Sequence, residues 1–209
     1  MGKRSDFERI PRDLYKTPFR AALPLRSYLQ RDADIKTFAE YCVGEGDLKR
    51  HVESFGLTCT YAGDIKDGQD ALKLTVADLN GAQIGITDPP YKYPEDPERT
   101  TRLLRDLIEH SLGLGIPFWF LIYSDWMLNR NAAPFLPYCT NIVTVGRVKW
   151  IEGTKSSGKD NCAWYRFDIN HRGDTAFHND RNTPLNTSSA MTRDTATDTR
   201  KGTSNEFYL

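Results

Sequence analysis

Gln83-Ile84-Gly85-Ile86-Thr87-Asp88-Pro89-Pro90-Tyr91 is the stretch that decides the fold of this chain. Its first five residues make a short apolar run, and such a run predicts a buried strand. Lys92 to Glu98, which follow, are rich in proline and charge and predict a loop. A carboxylate, two rigid prolines and an aromatic ring therefore sit where a strand ends. In an open α/β sheet that edge is where ligands bind.

The chemistry open to such a group is narrow. Pro89 and Pro90 fix φ and remove two backbone donors. Their neighbouring carbonyls are left to accept, and Asp88 adds a second strong acceptor. Two acceptors side by side can grip both hydrogens of one amino group. Tyr91 offers a flat face for a heterocycle, at roughly 1–3 kcal/mol per stacked base. An exocyclic amine is a poor nucleophile because its lone pair is delocalised into the ring. Pulling on both hydrogens restores lone-pair character, an electrostatic effect that needs no full base. A rigid surface turn would use the same four residues, so the rest of the chain must decide.

Upstream, Tyr15-Lys16-Thr17-Pro18 precedes a helical pattern. Thr17 is placed to cap, Pro18 suits a first turn, and Ala21, Ala22, Leu25, Tyr28 and Leu29 share a stripe. Thr37-Phe38-Ala39-Glu40-Tyr41-Cys42-Val43 predicts a strand running into Gly44-Glu45-Gly46. A helix follows with Leu48, Val52 and Phe55 inward and Gly56 at its C-terminus. Glycine allows a tight turn and close approach of backbone to ligand. Lys49 breaks the G-x-G-x-x-G pattern, so a dinucleotide site is disfavoured. A second strand, Leu57 to Tyr61, leads to Gly63-Asp64-Ile65. Asp64 comes 18 residues after Gly46, near the roughly 20 at which an acidic residue meets ribose hydroxyls. Val76-Ala77-Asp78-Leu79 reads as a third polar strand end.

Taken in order, Tyr-x-Thr-Pro, Phe-Ala-Glu-x-x-x-Gly-x-Gly-Asp-Leu, Gly-Asp-Ile and Asp-Pro-Pro-Tyr resemble the class I, S-adenosylmethionine-dependent DNA amino methyltransferases. The resemblance runs from about Tyr15 to Asp168 and is greatest to small phage or prophage-encoded adenine N6-methyltransferases. It implies a Rossmann-like domain with S-adenosylmethionine as cofactor and DNA as partner. Tyr15, Thr17 and Pro18 would lie beside the methionine end of the cofactor. Glu40, Tyr41, Gly44 and Gly46 would line the glycine turn. Asp64 would hold the ribose, Ile65 would pack on the adenine ring, and Asp78 would stand near its edge. Asp88, Pro89, Pro90 and Tyr91 would be the catalytic group that holds the target base. The same fold acting on cytosine N4, RNA adenine or a protein glutamine stays open, as does an inactive nucleic-acid-binding relative.

Downstream, Thr100 to Leu112 carries an amphipathic stripe of Leu103, Leu104, Leu107, Ile108 and Leu112 that ends at Gly113. Pro117 to Ser124 is almost wholly apolar and predicts a central strand buried on both faces. Asp125 reads as the cap of the segment after it. Asn141 to Ile151 and Cys162 to Ile169 predict an antiparallel hairpin. Between them Gly153-x-x-x-x-Gly158-Lys159 imitates a phosphate-binding loop, but Asp160 stands where Ser or Thr should be and a strand follows. Arg147, Lys149, Lys155, Lys159 and Arg166, with Trp150, Trp164 and Tyr165 among them, are candidates for gripping nucleic acid. A hairpin with its aromatics in the core and its cations in solvent is the competing reading, and Trp164 reads as core.

Composition bounds the rest. In 209 residues, 28 Lys and Arg balance 28 Asp and Glu, so any attraction to nucleic acid must be local. Cys42, Cys59, Cys139 and Cys162 lack C-x-x-C spacing, and the four histidines lack metal-like spacing, so no metal is expected. No run approaches ~18 apolar residues, which points away from a membrane and toward the cytoplasm. We expect a basic arm over 1–14, the methyltransferase domain over 15–178 and a polar, disordered tail over 179–209. The expected fold is α/β: a doubly wound, mostly parallel sheet with an antiparallel hairpin at one edge. Little length remains for a separate recognition domain, which leaves that task to the loops after Tyr91, after Ser124 and within 152–161.

Overall fold

The computed structural model describes residues 15–91, 97–151 and 157–179, and the basic arm, Lys155 and nearly all of the polar tail lie outside them. Seven strands form one sheet in the order β2-β1-β3-β4-β6-β5-β7. They are β1 (Thr37–Glu40), β2 (Thr58–Ala62), β3 (Ile84–Thr87), β4 (Phe118–Tyr123), β5 (Cys139–Arg147), β6 (Asn161–Phe167) and β7 (Ala176–His178). β1 pairs in parallel with β2 and β3, and β3 with β4. β6 runs antiparallel to β4 and β5. The doubly wound sheet and its hairpin are as expected.

Burial on both faces follows from alternation along β4. Phe118, Phe120 and Ile122 join one apolar cluster, while Trp119 and Leu121 join the other. Successive strand side chains point to opposite faces, and a strand buried on both sides has no polar positions to offer. On the first face lies α4 (Pro97–Gly113), through Leu103, Leu107, Ile108 and Leu112. On the second lie α1 (Phe19–Ala22), α2 (Arg26–Arg31) and α3 (Asp47–Ser54). These contribute Ala21, Ala22, Leu25, Leu29, Leu48 and Val52. Each fully buried Leu or Phe of this kind stabilises the fold by roughly 1.5–3 kcal/mol.

Four local expectations fail. The helix after Pro18 is not continuous: Leu23–Leu25 form a 3-10 turn around Pro24, which cannot donate to the helical ladder. Thr17 does not cap that helix; Pro18 is its N-cap and no side chain caps it. Val76–Leu79 is no strand end. Ala77–Leu79 is a 3-10 turn, and the Asp78 carboxylate accepts from the backbone N–H and hydroxyl of Thr75 at 2.7 and 2.6 Å. Asp125 likewise makes no side-chain cap. β7 is an addition that the sequence did not suggest. It pairs in parallel with β5 outside the hairpin, so the hairpin is one strand in from the edge. Among the described residues no helix is long and apolar enough to cross a membrane.

Strand order also fixes where a site can form. The chain winds outward from β1 to β2, then crosses back so that β3 lies on the other side of β1. The reversal falls between β1 and β3, and ligands of such sheets bind outside the carboxyl ends at that point. Glu40 ends β1 and Asp88 follows the last residue of β3. Neighbouring strands lie about 4.7–4.9 Å apart, so the glycine turn and the Asp-Pro-Pro segment emerge side by side.

Candidate active site

The glycine turn after β1 is held by its own backbone and by Asp64. Gly44 and Gly46 have φ of 51° and 79°, left-handed values at which a side chain would be strained. The Gly46 N–H donates to the Val43 carbonyl at 2.7 Å, and the Val43 N–H to Gly63 at 3.0 Å. Asp64, just past β2, accepts from the Gly44 N–H through Oδ2 at 2.8 Å and from the Lys66 N–H through Oδ1 at 3.0 Å. Lys66 closes the arrangement by donating to the Gly44 carbonyl and to Glu45. Asp64 therefore shapes the turn, with the remaining lone pairs of its carboxylate left for a ligand.

A cavity opens in front of this turn. Its walls include Tyr15, Thr17, Glu40, Tyr41, Gly44, Asp64, Ile65, Asp88 and Pro90. Three carboxylates from the ends of three adjacent strands thus meet in one space. Glu40 is 1% exposed, and its Oε2 has no hydrogen-bond partner among the described residues. Burial raises its pKa well above the ordinary value, and the negative charges of Asp88 and Asp64 add to the rise against the pull of Lys49. A buried carboxylate so placed favours a cation beside it. Ile65, Leu72, Leu103 and Leu107 add apolar surface to the same cavity.

Asp88 is tied across the cavity. The Thr17 hydroxyl donates to Asp88 Oδ2 at 2.8 Å. Pro89 is buried and Pro90 half-buried. Tyr91 is not in the cavity wall. Its hydroxyl donates to the Leu121 carbonyl at 2.8 Å, with Asp88 Oδ1 at a weaker 3.4 Å. Its ring stands nearly perpendicular to Tyr123, with centroids 5.9 Å apart. Tyr91 is thereby anchored to β4 and Tyr123 lies next to it at the carboxyl edge of the sheet.

The remaining candidates divide. Tyr15 lines the cavity and its ring lies 6.4 Å from Trp150. Pro18 and Gly46 are adjacent to the wall but not in it, and Asp78 is turned to Thr75 outside it. Asp70, Leu72, Leu103 and Leu107 line the cavity without having been singled out as site residues. Asp70 accepts from the Leu72 N–H at 3.1 Å, and this Asp-x-Leu turn was its only sequence signal. Arg147, Lys149 and Lys159 are exposed at the hairpin tip, and β6 begins opposite Tyr123 of β4. The tip therefore shares the carboxyl edge with Asp88. Of the three aromatics Trp150 stays with it, half-buried, and the other two do not. Trp164 and Tyr165 are fully buried, with Trp164 Nε1 donating to the Ala21 carbonyl at 2.8 Å and the Tyr165 hydroxyl to Ser124 at 2.9 Å. Arg166 turns to the other end of the strand, 3.6 Å from Asp32. A strand, β6, follows Lys159 where a phosphate-binding loop would lead into a helix.

No family model and no curated protein matches the chain. Solved structures do. An assigned RNA methyltransferase from Pyrococcus horikoshii superposes with a TM-score of 0.56 at 16% identity, covering 79% of this chain and 92% of that one. The type IIG restriction endonuclease BpuSI superposes with a TM-score of 0.51 at 12% identity, covering 82% of this chain and 26% of that one. At such identities the likeness is one of fold: the Rossmann-like α/β sheet is shared.

Proposed function

We propose that this protein transfers a methyl group from S-adenosylmethionine to the exocyclic N6 of adenine in DNA. The observation that supports it best is the meeting of Glu40, Asp64 and Asp88 in one cavity that Ile65, Leu72, Leu103 and Leu107 also line. S-adenosylmethionine suits that donor set, because it is a cation carrying an electrophilic methyl, an amino group, ribose hydroxyls and a flat purine. Glu40, buried and with Oε2 unpartnered, would face positive charge. Asp64 would take the ribose on the lone pairs that Gly44 and Lys66 leave. Ile65 and Leu72 would bracket the purine.

The target base would enter beside Asp88. The Asp88 carboxylate and the Pro89 carbonyl would accept hydrogen bonds from the amine and return the nitrogen lone pair to reactivity. As the N–CH3 bond forms the S–CH3 bond would break, the neutral thioether would leave, and the surplus proton would pass to Asp88 or to water. Holding the acceptors in advance is the protein's main contribution, since reorganisation is then avoided at the moment of reaction. Tyr91, fixed to Leu121, and its neighbour Tyr123 supply aromatic surface. Extruding a base from a duplex costs a few kcal/mol, which phosphate contacts from Arg147, Lys149, Lys155 and Lys159 would offset. Nothing in the arrangement draws on a metal ion.

Calorimetric titration with S-adenosylmethionine tests the reading. Binding is expected in the wild-type protein, weakened about 10-fold or more in Asp64→Ala, whose carboxylate makes charge-assisted bonds of roughly 1.5–3 kcal/mol. Absence of heat with the wild-type protein would reject it.

A further inference from the structure

We propose that Thr17 is a positioning residue for Asp88: its hydroxyl sets the rotation of the Asp88 carboxylate, and His51 holds Thr17 at the right height. This rests on the methyltransferase reading above and assigns Thr17 a task other than touching the cofactor. Three observations carry it. First, the Thr17 hydroxyl is not spent on the helix it precedes, where Pro18 is the N-cap and no side chain caps. It donates instead to Asp88 Oδ2 at 2.8 Å across 71 residues of sequence. Second, Thr17 is 6% exposed, so water competes little for that bond. Third, the Thr17 carbonyl accepts from His51 Nε2 at 3.1 Å.

The consequence is a two-bond bridge. His51 lies on α3, which starts directly after Gly46 of the glycine turn. The bridge runs from α3 through His51 and Thr17 to the carboxylate beside the target amine. One end is set by the turn expected to hold the cofactor and the other by the group expected to hold the base. Tyr91 meets the other carboxylate oxygen, Oδ1, at 3.4 Å, so the 2.8 Å bond from Thr17 to Oδ2 has the stronger hold on the rotation of the carboxylate. An acceptor displaced by a fraction of an ångström, or rotated out of line, loses much of its pull on an amine hydrogen.

The experiment compares wild type, Thr17→Val, Thr17→Ser and His51→Ala by steady-state transfer to DNA, by calorimetry with S-adenosylmethionine, and by crystallography. Thr17→Val preserves shape and removes the donor; Thr17→Ser keeps the donor. We expect kcat to fall about 10- to 100-fold in Thr17→Val, the size of effect that misplacing a catalytic group produces. The loss in kcat should exceed any change in cofactor affinity or in the KM for DNA, since Thr17 also lines the cavity. Thr17→Ser should recover most of kcat, and His51→Ala should fall between. In the crystals the Asp88 carboxylate should be rotated in Thr17→Val and in place in Thr17→Ser. Turnover of Thr17→Val within twofold of wild type overturns the assignment. So does a loss that appears in cofactor affinity instead of kcat, or a carboxylate that stays in place without its donor. Were the wild-type protein to transfer no methyl group, the function would fail, while the crystallographic comparison would still decide whether Thr17 positions Asp88.

Discussion

At the scale of single residues, Asp88 and Gly85 carry the sharpest consequences. Asp88→Ala should lower transfer by at least about 10²–10³, the usual effect of deleting one preorganised polar group. S-adenosylmethionine binding should remain within a few-fold, and turnover equal to wild type would remove Asp88 from the mechanism. Gly85 belongs to β3, where a Cβ would run into the Tyr41 hydroxyl and come within 3.0 Å of Phe118 Cβ. Gly85→Ala is therefore expected to destabilise by roughly 1–3 kcal/mol through overpacking, read as a lowered midpoint in urea. An unchanged midpoint would mean that the Tyr41 ring yields freely. Sequence showed why Asp88 matters, since its chemistry follows from its own neighbours. It did not show why Gly85 matters, because Tyr41 reaches it from another strand. Asp78 misled for the opposite reason. Thr75, three residues earlier, already satisfies its carboxylate, and an apolar flank alone cannot reveal that.

At the scale of elements, the hairpin of β5 and β6 separates two roles that its sequence mixes. Arg147, Lys149 and Lys159 are exposed at the tip, while Trp164 and Tyr165 fill the core. Lys149→Ala with Lys159→Ala should weaken DNA binding and flatten its salt dependence by about 0.9 per phosphate contact removed. Cofactor affinity should be untouched, and an unchanged salt slope would place the nucleic acid elsewhere. Trp164→Phe removes the bond that ties β6 to the Ala21 carbonyl of α1. The expected loss is about 0.5–1.5 kcal/mol in chemical unfolding, the net worth of one such bond. Strands β1, β3 and β4 were legible because uninterrupted apolar runs have few alternatives. The break at Pro24 and strand β7 were not. Phe177 is 62% exposed, so β7 lacks the buried face that periodicity detects, and only pairing with β5 makes it a strand.

At the scale of the whole molecule, the fold assembles acidity that costs stability for the sake of a ligand. Glu40 has a raised pKa in the folded protein, through burial first and Asp88 second. Between the ordinary carboxylate value and that raised value the folded state binds more protons than the unfolded, so stability falls as pH rises through the window. Glu40→Gln should therefore be more stable than wild type at neutral pH, with the gain shrinking as pH falls toward the ordinary carboxylate range. A gain independent of pH, measured by thermal melting across pH 4–8 as a rough working range, would contradict this. The same variant should bind S-adenosylmethionine more weakly, the trade expected of a functional site. That strands β1, β2 and β3 deliver their acids to one edge was legible from motif order. That α4 supplies the apolar wall was not, because Leu103 and Leu107 are indistinguishable from ordinary core residues until the sheet is built. The account stands or falls on whether the two halves of the cavity work together. The direct measurement is to incubate DNA and, separately, RNA with purified protein and methyl-labelled S-adenosylmethionine, then quantify labelled nucleosides by mass spectrometry for wild type and Asp88→Ala. Labelled N6-methyl-2′-deoxyadenosine from DNA with wild type, and none with Asp88→Ala, is the predicted result; no labelled nucleoside from DNA with wild type, or equal labelling by both proteins, would contradict it.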